Sequence, residues 1–103
     1  MLKQVQQLQA KIQKTQEDLG SETVEGSAGG GAVRIVITGA QEVRSVEIDP
    51  SAVDPDEVEM LQDLVMTAIN EAIGRSKELE RERMAGIAGG MGLPGVPGLP
   101  GFG

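Results

Sequence analysis

Cysteine, histidine, tryptophan and tyrosine are all absent from the 103 residues, and the one phenylalanine, Phe102, stands next to the C-terminus. Without Cys or His there are no disulfides, no thiolate nucleophile and no imidazole acid–base pair. The nitrogen and sulfur ligands that zinc and haem favour are missing too, and no metal or other cofactor is expected. Serines and threonines have no histidine base, and the carboxylates are spread along charged stretches rather than set in an apolar pocket. An enzyme with a small-molecule substrate is not expected. Without aromatics the core must come from Val, Ile, Leu, Ala and Met, in a chain already short for a stable domain. Burial across a subunit interface would make up the deficit, so a homodimer is expected. No apolar run reaches the length of a signal peptide or membrane span, which points to a cytoplasmic protein with no membrane partner.

The net charge of −7 argues at first against nucleic acid, whose phosphates repel an acidic surface. Its distribution argues otherwise. Residues 1–16 carry Lys3, Lys11 and Lys14 and no acid, whereas residues 17–71 carry thirteen acids against Arg34 and Arg44. Residues 75–83 then carry Arg75, Lys77, Arg81 and Arg83 among Glu78, Glu80 and Glu82. The cations lie at the start of one predicted helix and the end of another, with an acidic body between.

Met1, Val5, Leu8, Ile12, Thr15 and Leu19 alternate in spacing between four and three, the seam of a coiled-coil helix expected over Met1–Leu19, with Gly20 as its stop. Lys3, Gln7, Lys11 and Lys14 fall within an arc of about 80° turned away from that seam. A short strand near 22–25 leads into Gly26-Ser27-Ala28-Gly29-Gly30-Gly31. That loop opens a strand and lacks the Lys of a phosphate-cradling loop, so it reads as a hairpin connection. Strands at 32–38 and 41–48, around a Gly39-Ala40 turn, complete a three-stranded antiparallel meander. Val33, Ile35 and Ile37 line one face, and Val36, Val46 and Ile48 a more mixed second one. Two apolar faces are more than the chain's own helices can cover, so Val33, Ile35, Ile37, Val46 and Ile48 are the expected dimer interface. Asp54-Pro55-Asp56-Glu57 starts the second helix, with Asp54 as cap and Glu57 as capping-box partner. Its apolar stripe includes Leu61, Leu64, Ala68 and Ala72, and it reaches Met84, about 45 Å on. From Ala85 onward the chain is rich in Gly, Met and Pro, and residues 86–103 read as a flexible tail.

Lys3-Gln4, Gln6-Gln7, Lys11 and Lys14, then Ile37-Thr38-Gly39-Ala40, Val46-Glu47-Ile48-Asp49-Pro50-Ser51, Met60-Leu61, Asp63-Leu64-Val65 and Leu93-Pro94-Gly95 together resemble the YbaB/EbfC family of bacterial nucleoid-associated proteins. The resemblance implies an α+β fold, αβββα, forming an intertwined homodimer with projecting helices. Residues 1–85 would then be the dimerisation and DNA-binding domain, located with the nucleoid. It further implies a duplex DNA partner and a part in gene regulation. Lys3, Lys11, Lys14 and Arg75 fall where the family pattern also tends to be basic. Lys77, Arg81 and Arg83 join them on helix geometry, with Gln4 and Gln7 able to reach base edges or sugars. With no aromatic outside the tail, bases are not read by stacking, and duplex is expected over single strands. The alternative is a protein–protein adaptor or chaperone-like coiled-coil module without direct DNA binding.

Overall fold

The computed structural model describes residues 2–90. Helix α1 (Leu2–Ser21) is followed by strands β1 (Thr23–Ala28), β2 (Val33–Thr38) and β3 (Val43–Ile48), then by helix α2 (Val58–Gly90). The sheet is an antiparallel meander in the order β1-β2-β3, so the α+β element order expected from sequence is present. Two 3-10 turns, Pro50–Ala52 and Pro55–Glu57, join β3 to α2, each opened by an aspartate that caps it. Asp49 Oδ1 accepts from the backbone and hydroxyl of Ser51, and Asp54 Oδ1 from the Asp56 N–H at 2.9 Å. The Ser51 hydrogen bonds hold the Asp49 carboxyl below its ordinary range. Asp54 caps as expected, but among the described residues its partner is this amide and not a Glu57 side chain. No helix among the described residues is long and apolar enough to cross a membrane.

Both helices run further than their sequence suggests. α1 passes through Gly20 to Ser21, because its exposed carbonyls are satisfied from outside. Ser21 Oγ donates to Asp18 O, and Arg44 Nη2 donates to Gly20 O at 2.9 Å, placing a cation at the negative end of the helix dipole. α2 continues past Met84 to Gly90, so residues 86–90, expected as the start of a flexible tail, are helical. The rest of that segment, 91–103, lies outside the described residues.

α2 lies across β1 and β2. Beneath it Val33, Ile35 and Ile37 pack with Ala68 and Ala72 into a core from which solvent is excluded. The expectation that these three β2 residues meet a second copy is corrected here: the chain's own helix covers them. A second correction concerns Val46 and Ile48. Residues opposite one another in an antiparallel pair share a face, and the register sets Ile35 against Val46 and Val33 against Ile48. They therefore belong to the helix side of the sheet, with Val43 opposite Ile37, and not to a second face. The irregularity between Val36 and Ile37 is the reason. A bulge adds one residue to β3 and reverses the facing of everything beyond it. The other side of the sheet carries Glu25, Ser27, Arg34, Val36, Ser45 and Glu47, and is mostly polar. β3 lies beyond α2's reach and all six of its residues are exposed.

The helix can lie this close only because the contact residues are small. A Cβ on Gly26 would stand 2.3 Å from Ala68 O and 2.4 Å from Ala72 N. Gly39 has the same role where α1 arrives: a Cβ there would meet Leu19 Cδ2 at 2.6 Å. Left-handed backbone occurs instead at Gln41 and at Gly29, Gly30 and Gly31 in the β1–β2 hairpin.

Candidate nucleic-acid interface

Buried Thr38 is the junction from which both helices leave the sheet. Its Oγ1 accepts from the Ala40 and Glu42 N–H groups, closing the β2–β3 turn, and its carbonyl accepts the buried Ser76 hydroxyl of α2 at 2.7 Å. The Gly39 N–H donates to Glu22 O at the start of β1. Beyond this point α1 and the second half of α2 run antiparallel as one prong. Leu8, Ile12 and Thr15 are half-buried in its seam and Leu19 is fully buried. The expected seam is thus used, but within the chain.

The prong brings some of the expected residues together and keeps others apart. Lys11, Lys14, Thr15 and Asp18 of α1 line one shallow niche with Arg83, Gly86 and Ile87 of α2. Lys3, Gln4 and Gln7 lie nearer the start of α1 and are exposed. Lys77 and Arg81 belong to another surface. At about 100° per residue they point more than about 120° away from the side of α2 that meets α1. Among the described residues no ion pair engages Lys3, Lys14, Lys77 or Arg81.

Arg75 and Arg83 are each paired with a glutamate. Arg75 pairs with Glu71 at 3.6 Å, one helical turn away, and both are well exposed. Arg83 is held more firmly: its Nε donates to Glu22 Oε2 at 3.0 Å, and its Nη2 bonds the other carboxylate oxygen. This two-point pairing holds the Glu22 carboxyl below its ordinary range and raises Arg83 above its own. Glu22 therefore belongs to the site's electrostatics, as does Asp18, and neither stands out in the sequence. No spacing rule connects residues 22 and 83.

Away from the prong, a groove along α2 is lined by Val58, Leu61, Gln62, Val65, Met66, Ile69 and Asn70, almost wholly by apolar atoms. Val46 is 53% exposed and Ile48 38%. Only six apolar residues are buried among those described, against nine large exposed ones. So small a core leaves a broad apolar surface uncovered.

A family model described as the YbaB/EbfC DNA-binding family matches residues 1–91. A nucleoid-associated protein of Moorella thermoacetica is 52% identical over 93 residues, covering 90% of this chain and 89% of its own. One of Ruminiclostridium cellulolyticum is 48% identical over 92 residues, covering 89% and 80%. In the crystal structure of an uncharacterized protein from Helicobacter pylori, 21% identical, the same fold is found with a TM-score of 0.63, over 84% of this chain and 87% of that one.

Proposed function

We propose, since the chain belongs to the YbaB/EbfC DNA-binding family, that it binds duplex DNA as a homodimer, altering its conformation and contributing to nucleoid organisation and gene regulation. The observation that carries the reading is the separation of charge along the fold. Eleven of the sixteen acids lie in the sheet, its connections and the first half of α2, while Lys3, Lys11, Lys14, Lys77 and Arg81 lie on the prong among the remaining five, Glu17, Asp18, Glu78, Glu80 and Glu82. The prong is thus the part of the fold where cations outnumber acids, and a polyanion approaching it avoids most of the acids, which lie in the body.

Dimerisation supplies what one chain lacks. The uncovered row of Val43, Val46 and Ile48 and the apolar groove on α2 are surfaces a second copy would bury. Met66, Asn70, Lys77 and Arg81 follow one another at spacings of four, seven and four, so they form one stripe along α2. Pairing through the apolar end of that stripe turns its basic end toward the space between two prongs. Lys77 and Arg81 of both copies then line the inner surface, while Lys3, Lys11 and Lys14 supply phosphate contacts from α1. Arg75 and Arg83, already paired with glutamates, contribute less, and Gln4 and Gln7 add neutral hydrogen bonds. Both pairing and DNA contact are assigned to residues 1–85.

Fluorescence anisotropy of a labelled duplex tests the reading. If the three lysines of α1 in each of two copies meet phosphates, affinity falls about a thousandfold between about 50 and about 200 mM salt. A folded dimer that leaves the duplex unbound even at the lower salt would end the DNA reading.

A further inference from the structure

Cations from both helices meet where the prong leaves the body. Arg83 of α2 lines the niche with Lys11, Lys14 and Thr15 of α1, and its guanidinium reaches back through Nε and Nη2 to Glu22, just before β1. Glu22 is held at its backbone, whose N–H donates to Asp18 O and whose carbonyl accepts from the Gly39 N–H. The Arg83 and Glu22 side chains remain 47% and 34% exposed. Solvent screens a pair so placed, and a better anion can take the arginine from the glutamate.

The niche holds more for an anion than Glu22 uses. Lys11 and Lys14 are neighbours on one side of α1, and Thr15 adds a hydroxyl beside the guanidinium. Asp18 and Glu22 stand toward the base of the prong and the two lysines toward its tip, so Arg83 has acids on one side and cations on the other. The floor is open at Gly86, three residues beyond Arg83. A Cβ on Gly26 or Gly39 would strike neighbouring atoms, whereas one on Gly86 would meet nothing within 4 Å. No close contact requires this glycine, and glycine is disfavoured inside a helix. What it supplies is room beside the guanidinium. A phosphate suits that room: its oxygens take the guanidinium fork at two points, as the Glu22 carboxylate does, and have lone pairs left for the lysines and Thr15.

We propose that this niche binds a phosphate group that takes the place of Glu22 on Arg83, so that Glu22 is a built-in competitor setting how tightly the prong holds its ligand. Paired with Glu22, the guanidinium is turned toward the base; on a phosphate it is turned toward Lys11 and Lys14. With the backbone of a duplex as the source of the phosphate, the proposal rests on the DNA reading above. With a free phosphate as the source it stands apart from that reading.

NMR on the full-length protein tests it, following the Arg83 Nε–H signal while a short duplex or inorganic pyrophosphate is added. A shift is expected, and the ligand that causes it identifies the source. A duplex that binds, with the signal moved by neither ligand, overturns the proposal and leaves the DNA reading standing. A duplex that does not bind ends the DNA reading, and the pyrophosphate arm alone then decides the niche. Affinity for the ligand that moves the signal is next compared among variants. Arg83→Gln should lower it about fivefold at about 50 mM salt, and Glu22→Gln should raise it about two- to fivefold. Glu78→Gln removes the same charge from the other flank of α2, beside Val24 and Arg75, and should change it by less than about twofold. Equal gains in the two glutamate variants, or no loss in Arg83→Gln, overturn the proposal.

Discussion

Around Ala68 and Ala72, α2 presses so closely on β1 that Gly26 has no room for a methyl group. Farther along the same helix, at Arg83, it meets α1 across a seam in which Leu19 is fully buried and Leu8, Ile12 and Thr15 are half-buried. The first region is shaped by contact and the second by charge. In the body, side chains have been reduced to Gly and Ala so that backbones approach, and substitutions there meet immovable atoms. In the prong most positions face water, so the sequence is free to place lysines and arginines at little cost in packing. Thr38 and Ser76 stand between the two and hold one to the other. Net charge conceals this division, because the acids of the body outnumber the cations of the prong.

Substitutions that load one region and spare the other test the comparison most sharply. Gly26→Val is the severest. Its new carbons would overlap the Ala68 and Ala72 backbone, which can move only by lifting α2 from the sheet. A loss of at least about 3 kcal/mol in urea unfolding is expected, enough to leave much of the chain unfolded. A near-neutral result would mean that the helix–sheet contact is looser than its geometry. The prong gives the converse case. Reversing Lys3, Lys11 and Lys14 to Glu together should lower duplex affinity about a hundredfold or more at low salt, with the dimer intact. If retention on DNA survives, the cations of α1 are solvated surface and the adaptor reading gains.

The two regions were also unequally legible. The heptad of α1, the alternation of Val33, Ile35 and Ile37, and the Asp54-Pro55 start before α2 all reflect local periodicity or local capping, and these appear in the structure where the sequence puts them. What failed depended on contacts between distant parts. The side of the sheet taken by Val46 and Ile48 turned on a single extra residue in β3, and a bulge has no dependable signature in one sequence. Which partner covers Val33, Ile35 and Ile37 depended on Gly26, Ala68 and Ala72 being small at matching positions, and that is visible only once β1 and α2 are superposed. Glycine misleads at one place: Gly20 has the look of a stop and is inside the helix, whereas Gly39 is in the expected turn and also allows the close approach of Leu19. Of the candidate cations, α1's lysines followed from charge pattern. The diversion of Arg83 to Glu22 did not, because sixty-one residues separate them.

At the junction, Ser76→Ala removes one hydroxyl and leaves one lone pair of the Thr38 carbonyl without its buried donor. About 1 to 2 kcal/mol of stability should be lost in thermal or urea unfolding. Because the Gln41 N–H still bonds that carbonyl, the β2–β3 turn persists, and exchange should quicken first in α2 beyond residue 76. Uniform quickening throughout would show that body and prong do not separate at this point.

The smallest effect expected comes from Glu22→Gln, and it should move the two regions' properties in opposite directions. The Glu22 carboxyl is held below its ordinary value of 4.5 by the Arg83 hydrogen bonds. Its pairing therefore stabilises the fold above about pH 4.5 and is lost as the pH falls through the lower folded value. Wild type should melt slightly higher than Glu22→Gln at neutral pH, by less than the Ser76→Ala difference, since both partners are solvent-exposed. The gap should close in acid, and as the depressed Asp49 carboxyl is common to both proteins, its closing reports Glu22 alone. DNA affinity should change the other way. Glutamine leaves the Arg83 guanidinium unneutralised beside Lys11 and Lys14, and duplex binding should tighten about two- to fivefold at low salt. If affinity falls together with stability, Glu22 is holding Arg83 in place for a phosphate rather than competing with one, and the division between a region built for contact and one built for charge would end at this residue.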